Sequence, residues 1–113
     1  MLFTSSLKKN YEFRRVYSSG KSAAMSLLAM YCKKNRTGHE NRLGFTVSTK
    51  VGNAVTRNRV RRKLKEIYRL HEAGLVRGFD IVVVARIKSR NANYWELESG
   101  MLKLFDKLRL SKN

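Results

Sequence analysis

The chain has 113 residues, 25 of them Lys or Arg against 8 Asp or Glu, for a formal charge of +17. That length suits one domain, residues 1–113, with a modest core, and 42% apolar residues exclude a wholly disordered chain. A single cysteine, Cys32, excludes an internal disulfide and a cysteine-built zinc site, and no stretch approaches the ~20 apolar residues of a membrane-crossing helix.

The N-terminus carries no signal-peptide pattern, so the expected compartment is the cytoplasm. A charge of this size repels itself and calls for a polyanionic partner. Nucleic acid is the usual one, and an acidic membrane surface is the other candidate. Solubility alone needs a net charge of only ~2–8.

In chain order, the spacing predicts a first helix from Leu7 to about Tyr17, capped by Ser5 or Ser6 and ended by Gly20. Phe13 and Tyr17 share one face, Val16 lies beside them, and Lys8, Lys9, Arg14 and Arg15 make the rest basic. A polar loop over residues 18–22 follows. Leu27 to Lys33 reads as a strand. Leu43, Phe45 and Val47 alternate with Gly44, Thr46 and Ser48 as a second. The loop over residues 35–41 between them predicts an antiparallel hairpin. Residues Lys50–Gly52 are a candidate short strand.

A second helix starts at a cap on Asn53 or Thr56 and runs to about His71, with Val60, Leu64, Ile67, Tyr68 and His71 as one stripe. Phe79 to Ile87 contains the run Ile81-Val82-Val83-Val84-Ala85, which predicts a central strand buried on both faces. The last helix covers about Tyr94 to Leu108, opened by Asn93 with Glu96 three residues on. Its stripe is Tyr94, Leu97, Met101, Leu104, Phe105 and Leu108; Trp95 lies at the stripe's edge. The expected class is α+β, an αββαβα-type sandwich with helices packed on a small mixed sheet.

The stretch from Val51 to Lys65 is the most informative. Six of the nine residues from Arg57 to Lys65 are basic, and Glu66 alone offsets charge between Lys50 and Arg69. At ~100° per residue, Asn58, Arg62, Lys65 and Arg69 face away from the apolar stripe, with Arg59 and Arg61 on the flanks. Arg57 falls nearer the apolar side and is expected to reach around the helix start or pair locally. Arginine grips phosphate with a two-pronged fork, the helix N-terminus adds N–H groups, and Asn58 offers a donor and an acceptor.

Val51-Gly52-Asn53-Ala54-Val55-Thr56-Arg57-Asn58-Arg59, followed by Val60-Arg61-Arg62, closely resembles the signature of the bacterial ribonuclease P protein subunit family. Leu7-Lys8, Glu12-Phe13, Val16-Tyr17 and Gly20 resemble that family's first helix. Arg42 to Ser48 and Phe79 to Arg86 resemble two of its strands. The resemblance implies a fold with a left-handed βαβ crossover, as in some ribosomal proteins. It also implies a protein that binds a large catalytic RNA and the 5′ leader of precursor tRNA, and promotes endonucleolytic removal of that leader. The chemistry then belongs to the RNA, which requires Mg²⁺; the chain itself is expected to supply no catalytic residue, metal site or cofactor.

Carried onto this sequence, Arg57, Asn58, Arg59, Arg61, Arg62, Lys63 and Lys65 are candidates for the catalytic-RNA face. Phe13, Tyr17, Tyr31 and Lys50 are candidates for leader binding. The implied partners are the ribonuclease P RNA subunit and precursor tRNA, with no membrane and no obligate protein partner. Thr49 departs from the lysine frequent in the family, and Tyr17 stands where phenylalanine is frequent.

Stacking of unpaired bases on Phe13 and Tyr17 is worth roughly 1–3 kcal/mol per base; the competing reading is ordinary packing on the sheet. His39, in a polar loop, and His71, on the apolar stripe, have no neighbouring carboxylate arrangement in sequence suited to acid–base work. Two alternatives fit the same size and charge. One is a structural ribosomal or RNA-chaperone protein without a role in cleavage; the other is a small nuclease acting alone.

Overall fold

The computed structural model describes residues 1–112; Asn113 of the expected domain lies outside it. Eight segments build the fold around one sheet. They are β1 (Thr4–Ser6), α1 (Asn10–Ser19), β2 (Lys21–Ala24), β3 (Leu28–Lys34), β4 (Asn41–Val47), α2 (Ala54–His71), β5 (Phe79–Ala85) and α3 (Tyr94–Lys107). Short 3₁₀ turns follow α2 and β5, at Glu72–Gly74 and Ile87–Asn91.

The continuous apolar run of β5 puts it in the middle of the sheet, whose order is β1-β4-β5-β3-β2. It pairs parallel with β4 and antiparallel with β3. Residues of β5 on both faces are buried, as a central strand requires. Ile81, Val83 and Ala85 join the larger core with Val60, Leu64 and Ile67 of α2 and Leu97, Met101 and Phe105 of α3. Val82 and Val84 face the opposite way, against Val16 of α1 and Leu7. The sheet therefore separates α1 from α2 and α3, in a mixed α+β architecture. The parallel β4–α2–β5 unit is the crossover segment of this fold.

Four sequence expectations change. The hairpin expected between the Leu27–Lys33 and Leu43–Val47 strand patterns does not form: β5 inserts between β3 and β4, because its apolar run needs a neighbour on each side. Ser5 and Ser6 do not cap α1 but pair in β1 with Arg42 and Leu43. The helix starts at Asn10, and the Glu12 carboxylate accepts from the N–H groups of Lys8 and Lys9 at 3.1 and 3.0 Å. Those two hydrogen bonds, then the charge of Arg42, hold the Glu12 carboxyl below its ordinary range. The segment read as a polar loop over residues 18–22 is split: Ser18 and Ser19 end α1, and Lys21 and Ser22 open β2, paired with β3. Lys50–Gly52 is a turn, closed by the Val51 N–H donating to Ser48 O at 3.1 Å.

The N-terminal caps of α2 and α3 follow the sequence closely. Asn53 Oδ1 accepts from the Thr56 N–H at 2.9 Å, and Asn93 and Glu96 exchange hydrogen bonds of 2.9 and 3.0 Å. Trp95 is 71% exposed, which places it outside the core. His71 is half-buried, with Nε2 2.8 Å from Glu98 Oε2.

Two buried polar networks lock the strands that carry the site. Arg42 and Asp80 sit directly opposite each other on β4 and β5. Arg42 Nε and Nη2 donate to the two Asp80 oxygens at 2.9 and 2.6 Å, while Nη1 pairs with Glu12 of α1. One guanidinium thus staples α1 to two strands, and the Asp80 hydrogen bond raises its pKa. At the other end of the first segment, the buried Glu72 carboxylate accepts from the N–H groups of Leu2 and Phe3 at 2.7 and 3.1 Å. Tyr68 Oη lies 2.8 Å from Thr4 Oγ1, and Asn41 Nδ2 donates to it at 3.3 Å. These bonds hold the N-terminal segment beside β4.

Candidate nucleic-acid interface

The basic helix α2 forms the first surface. Its apolar stripe, Val60, Leu64, Ile67 and Tyr68, is buried, and this fixes which way the cations point. Asn58, Arg59, Arg62, Lys65 and Arg69 are exposed. At 1.5 Å rise per residue, successive exposed cations recur about every 5 Å along the axis. Glu66, the one carboxylate of this helix, is taken by Arg69 at 2.5 Å, which lowers its pKa. Arg59, Arg62 and Lys65 have no ion-pair partner among the described residues.

The other expected members of this face are partly tied down. Arg57 turns back on the helix start, and its Nε donates to Gly52 O at 3.2 Å. A side chain at Gly52 would put Cβ 2.9 Å from Thr56 Cβ, so the turn into α2 accepts only glycine without rearrangement. Asn58 Oδ1 accepts from Arg61 Nη1 at 2.9 Å, and Lys63 leans across to Ala92 O at 3.4 Å.

A groove between α1, β4 and α2 forms the second surface. β1 covers only Asn41, Arg42 and Leu43 of β4, and the Leu7 N–H adds a bond to Leu43 O at 3.0 Å. From Gly44 to Val47 the outer edge of β4 has no strand partner among the described residues. Two adjoining hollows, of about 440 and 670 Å³, run along that edge. Both are lined by Phe13, Phe45 and Arg61. Arg14, Tyr17 and Thr46 line one of them, Lys65 the other.

The aromatic side of the groove depends on Gly44. A Cβ there would lie 2.5 Å from Phe13 Cε2 and Cζ, so the Phe13 ring rests directly on the β4 backbone. Phe13 is half-buried, packed on the small core beneath α1 with one side in the groove. Tyr17 is 36% exposed, and its Oη lies 2.7 Å from Thr46 Oγ1. Tyr31 meets Tyr17 edge-on, with ring centroids 4.9 Å apart, and supports Tyr17 from behind without lining the groove. Lys50 is exposed in the turn after β4 and does not line the groove.

The two surfaces meet at Arg61, which belongs to α2 yet lines both hollows. Sequence reasoning assigned Arg61 to the helix face alone and missed Phe45, Thr46 and Gly44. Gly44, Phe45 and Thr46 stood in the strand pattern only as alternating residues; nothing local announced that the edge beside them stays open. Among the described residues, no three His, Cys, Asp or Glu side chains come together. Two carboxylates, Glu12 and Asp80, share Arg42.

Comparison with known proteins identifies the family. A family model described as Ribonuclease P matches residues 1–109. The chain belongs to the ribonuclease P protein family. It is 48% identical over 104 residues to the ribonuclease P protein component of Alkaliphilus metalliredigens, covering 92% of this chain and 93% of the relative. Identity to the same component of Thermoanaerobacter sp. (strain X514) is 47%, over 92% of this chain and 89% of the relative. Among solved structures, the Staphylococcus aureus RNase P protein superposes with a TM-score of 0.87 at 29% identity, covering 95% and 97% of the two chains. The RNase P protein from Thermotoga maritima gives 0.81 at 28%, covering 96% and 99%. Family membership makes the chain a subunit of the ribonuclease P holoenzyme, whose role is maturation of the tRNA 5′ end.

Proposed function

We propose that α2 binds the catalytic RNA of the holoenzyme while the groove holds the single-stranded leader of precursor tRNA. The carrying observation is the pairing of an uncompensated basic ridge with an open strand edge flanked by Phe13 and Tyr17. Phosphate contacts from Arg59, Arg62 and Lys65 position RNA without reading its sequence. Aromatic faces then add sequence-tolerant stacking for unpaired bases. Arg61 links the two tasks, because it stands where the ridge opens into the groove.

The mechanism is assistance. Two polyanions, catalytic RNA and precursor tRNA, repel each other; the exposed cations lower that repulsion and the groove fixes the leader's direction. Bond cleavage and its Mg²⁺ belong to the RNA subunit, and this chain supplies binding and orientation. Mg²⁺ and the protein both act as countercharge, so stimulation is largest at low Mg²⁺.

The test is binding of precursor and mature tRNA to the reconstituted holoenzyme with Phe13→Ala. Weaker binding of precursor tRNA alone supports the groove as the leader site. Equal loss for both substrates moves Phe13 into the core and refutes the assignment.

A further inference from the structure

Across α1 from the groove lies a basic pocket that neither surface uses. Arg15 of α1, Lys33 and Lys34 at the end of β3, Arg36 of the next loop and Arg42 of β4 line it, with Asp80 as its one carboxylate. Arg42 is spent on Asp80 and Glu12. No carboxylate among the described residues is within ion-pair distance of Arg15, Lys33, Lys34 or Arg36. The one acid of the lining, Asp80, is therefore taken by Arg42, and four cations around the hollow have no carboxylate within ion-pair distance.

The walls of this hollow are held in place. Asn35 Oδ1 accepts from the N–H groups of Thr37 and Gly38 at 3.2 and 3.3 Å, which closes the loop carrying Arg36. Asn35 Nδ2 donates to Asp80 Oδ1 at 3.2 Å and ties that loop to β5. The Arg15 guanidinium lies 5.9 Å from the Tyr11 ring centroid. Converging like charges on a fixed frame raise the energy of the free protein, and an anion relieves it. Arginine and lysine with no aromatic lining suit a phosphate backbone rather than base readout.

We propose that this pocket binds phosphates of the precursor-tRNA leader upstream of the nucleotides held in the groove. The sheet decides between the two RNA partners. The pocket lies on the α1 face with Tyr17 and Tyr31, whereas the buried stripe of α2 packs on the other face. An RNA strand lying against α1 reaches the pocket by staying on that face. The proposal rests on the groove reading above for which RNA is bound, but not for the anion site itself.

The experiment uses holoenzyme carrying Lys34→Gln/Arg36→Gln and two precursor tRNAs. One has a short leader that ends in the groove; the other extends several nucleotides further. Both side chains are exposed and make no hydrogen bond to the described residues, so an unchanged melting temperature is expected. Loss of two phosphate contacts makes the salt dependence of long-leader binding shallower by about 1.4 and weakens it roughly tenfold at moderate salt. Short-leader affinity stays unchanged. Equal effects on both leaders, or none on either, overturn the proposal. Weaker assembly with the catalytic RNA, independent of leader length, assigns the pocket to that RNA and also overturns it. Phe13→Ala measured in parallel separates the two readings. If it spares the short leader while the double variant still weakens the long one, the groove reading fails and the pocket stands.

Discussion

Gly44→Ala tests the contact on which the groove is built. The added Cβ would sit 2.5 Å from two atoms of the Phe13 ring and 3.3 Å from Leu7 Cβ. Carbon atoms pack at about 3.5–4.0 Å, so the ring must retreat by about 1–1.5 Å. Phe13 is half-buried and the clash involves the tip of its side chain, so it can swing toward the groove without unfolding α1. Overpacking of this kind costs about 1–3 kcal/mol of stability. The displaced ring occupies the space where a leader base stacks, and losing one stacked base is worth about 1–3 kcal/mol, or roughly 5- to 150-fold in affinity. The assay measures precursor and mature tRNA affinity side by side, with thermal melting as the control. The expected result is a loss confined to precursor tRNA. Unchanged precursor affinity with a lowered melting temperature would refute the reasoning, because Phe13 would then matter only to packing.

Three further outcomes are expected. Arg59→Ala and Arg62→Ala each weaken binding to the catalytic RNA and reduce the salt slope by about 0.7–1, with no dependence on the leader; titrations at several salt concentrations check this. Arg42→Met leaves the buried Asp80 without its guanidinium and costs about 3–5 kcal/mol in urea unfolding, far more than loss of any exposed cation on α2. Burial alone would raise the Glu72 carboxyl, but hydrogen bonds from Thr4 and the Leu2 and Phe3 N–H groups, with the N-terminal ammonium, hold it below the ordinary range. Its stabilisation is therefore present above the unfolded-state value and lost as pH falls through the lower folded value. Melting from neutral to acidic pH should show a steeper acid limb for the parent than for Glu72→Gln, which has no carboxylate there to protonate.

Much of this was legible in the sequence because it is local. The direction of the α2 cations follows from the spacing of Val60, Leu64 and Ile67, and the exposed Asn58, Arg62, Lys65 and Arg69 are those the helical wheel turned outward. Asn53 and Asn93 announced their helices, and the β5 run announced a central strand. What the sequence hid depends on pairing between distant segments. A loop between two strand patterns suggests a hairpin, yet β5 outcompetes β4 for the edge of β3 because Ile81, Val83 and Ala85 extend the larger core there. The Arg42 staple needs Glu12, Arg42 and Asp80 from three elements. The groove exists because β1 stops at Ser6 and leaves Gly44–Val47 uncovered, and β1 itself is three residues with no apolar alternation to reveal it. Lys50 and Tyr31, assigned through family resemblance, do not line the groove: Lys50 sits in the turn beyond β4, and Tyr31 is on β3, against Tyr17.

The most direct measurement of the central claim is reconstitution at low Mg²⁺. Labelled precursor tRNA is mixed with a bacterial ribonuclease P RNA, with this protein, or with both. The account predicts cleavage at the mature 5′ end only when both are present, with the advantage of the protein shrinking as Mg²⁺ or salt is raised. Cleavage by the protein alone, after removal of trace RNA, would contradict it, as would RNA binding with no stimulation of cleavage.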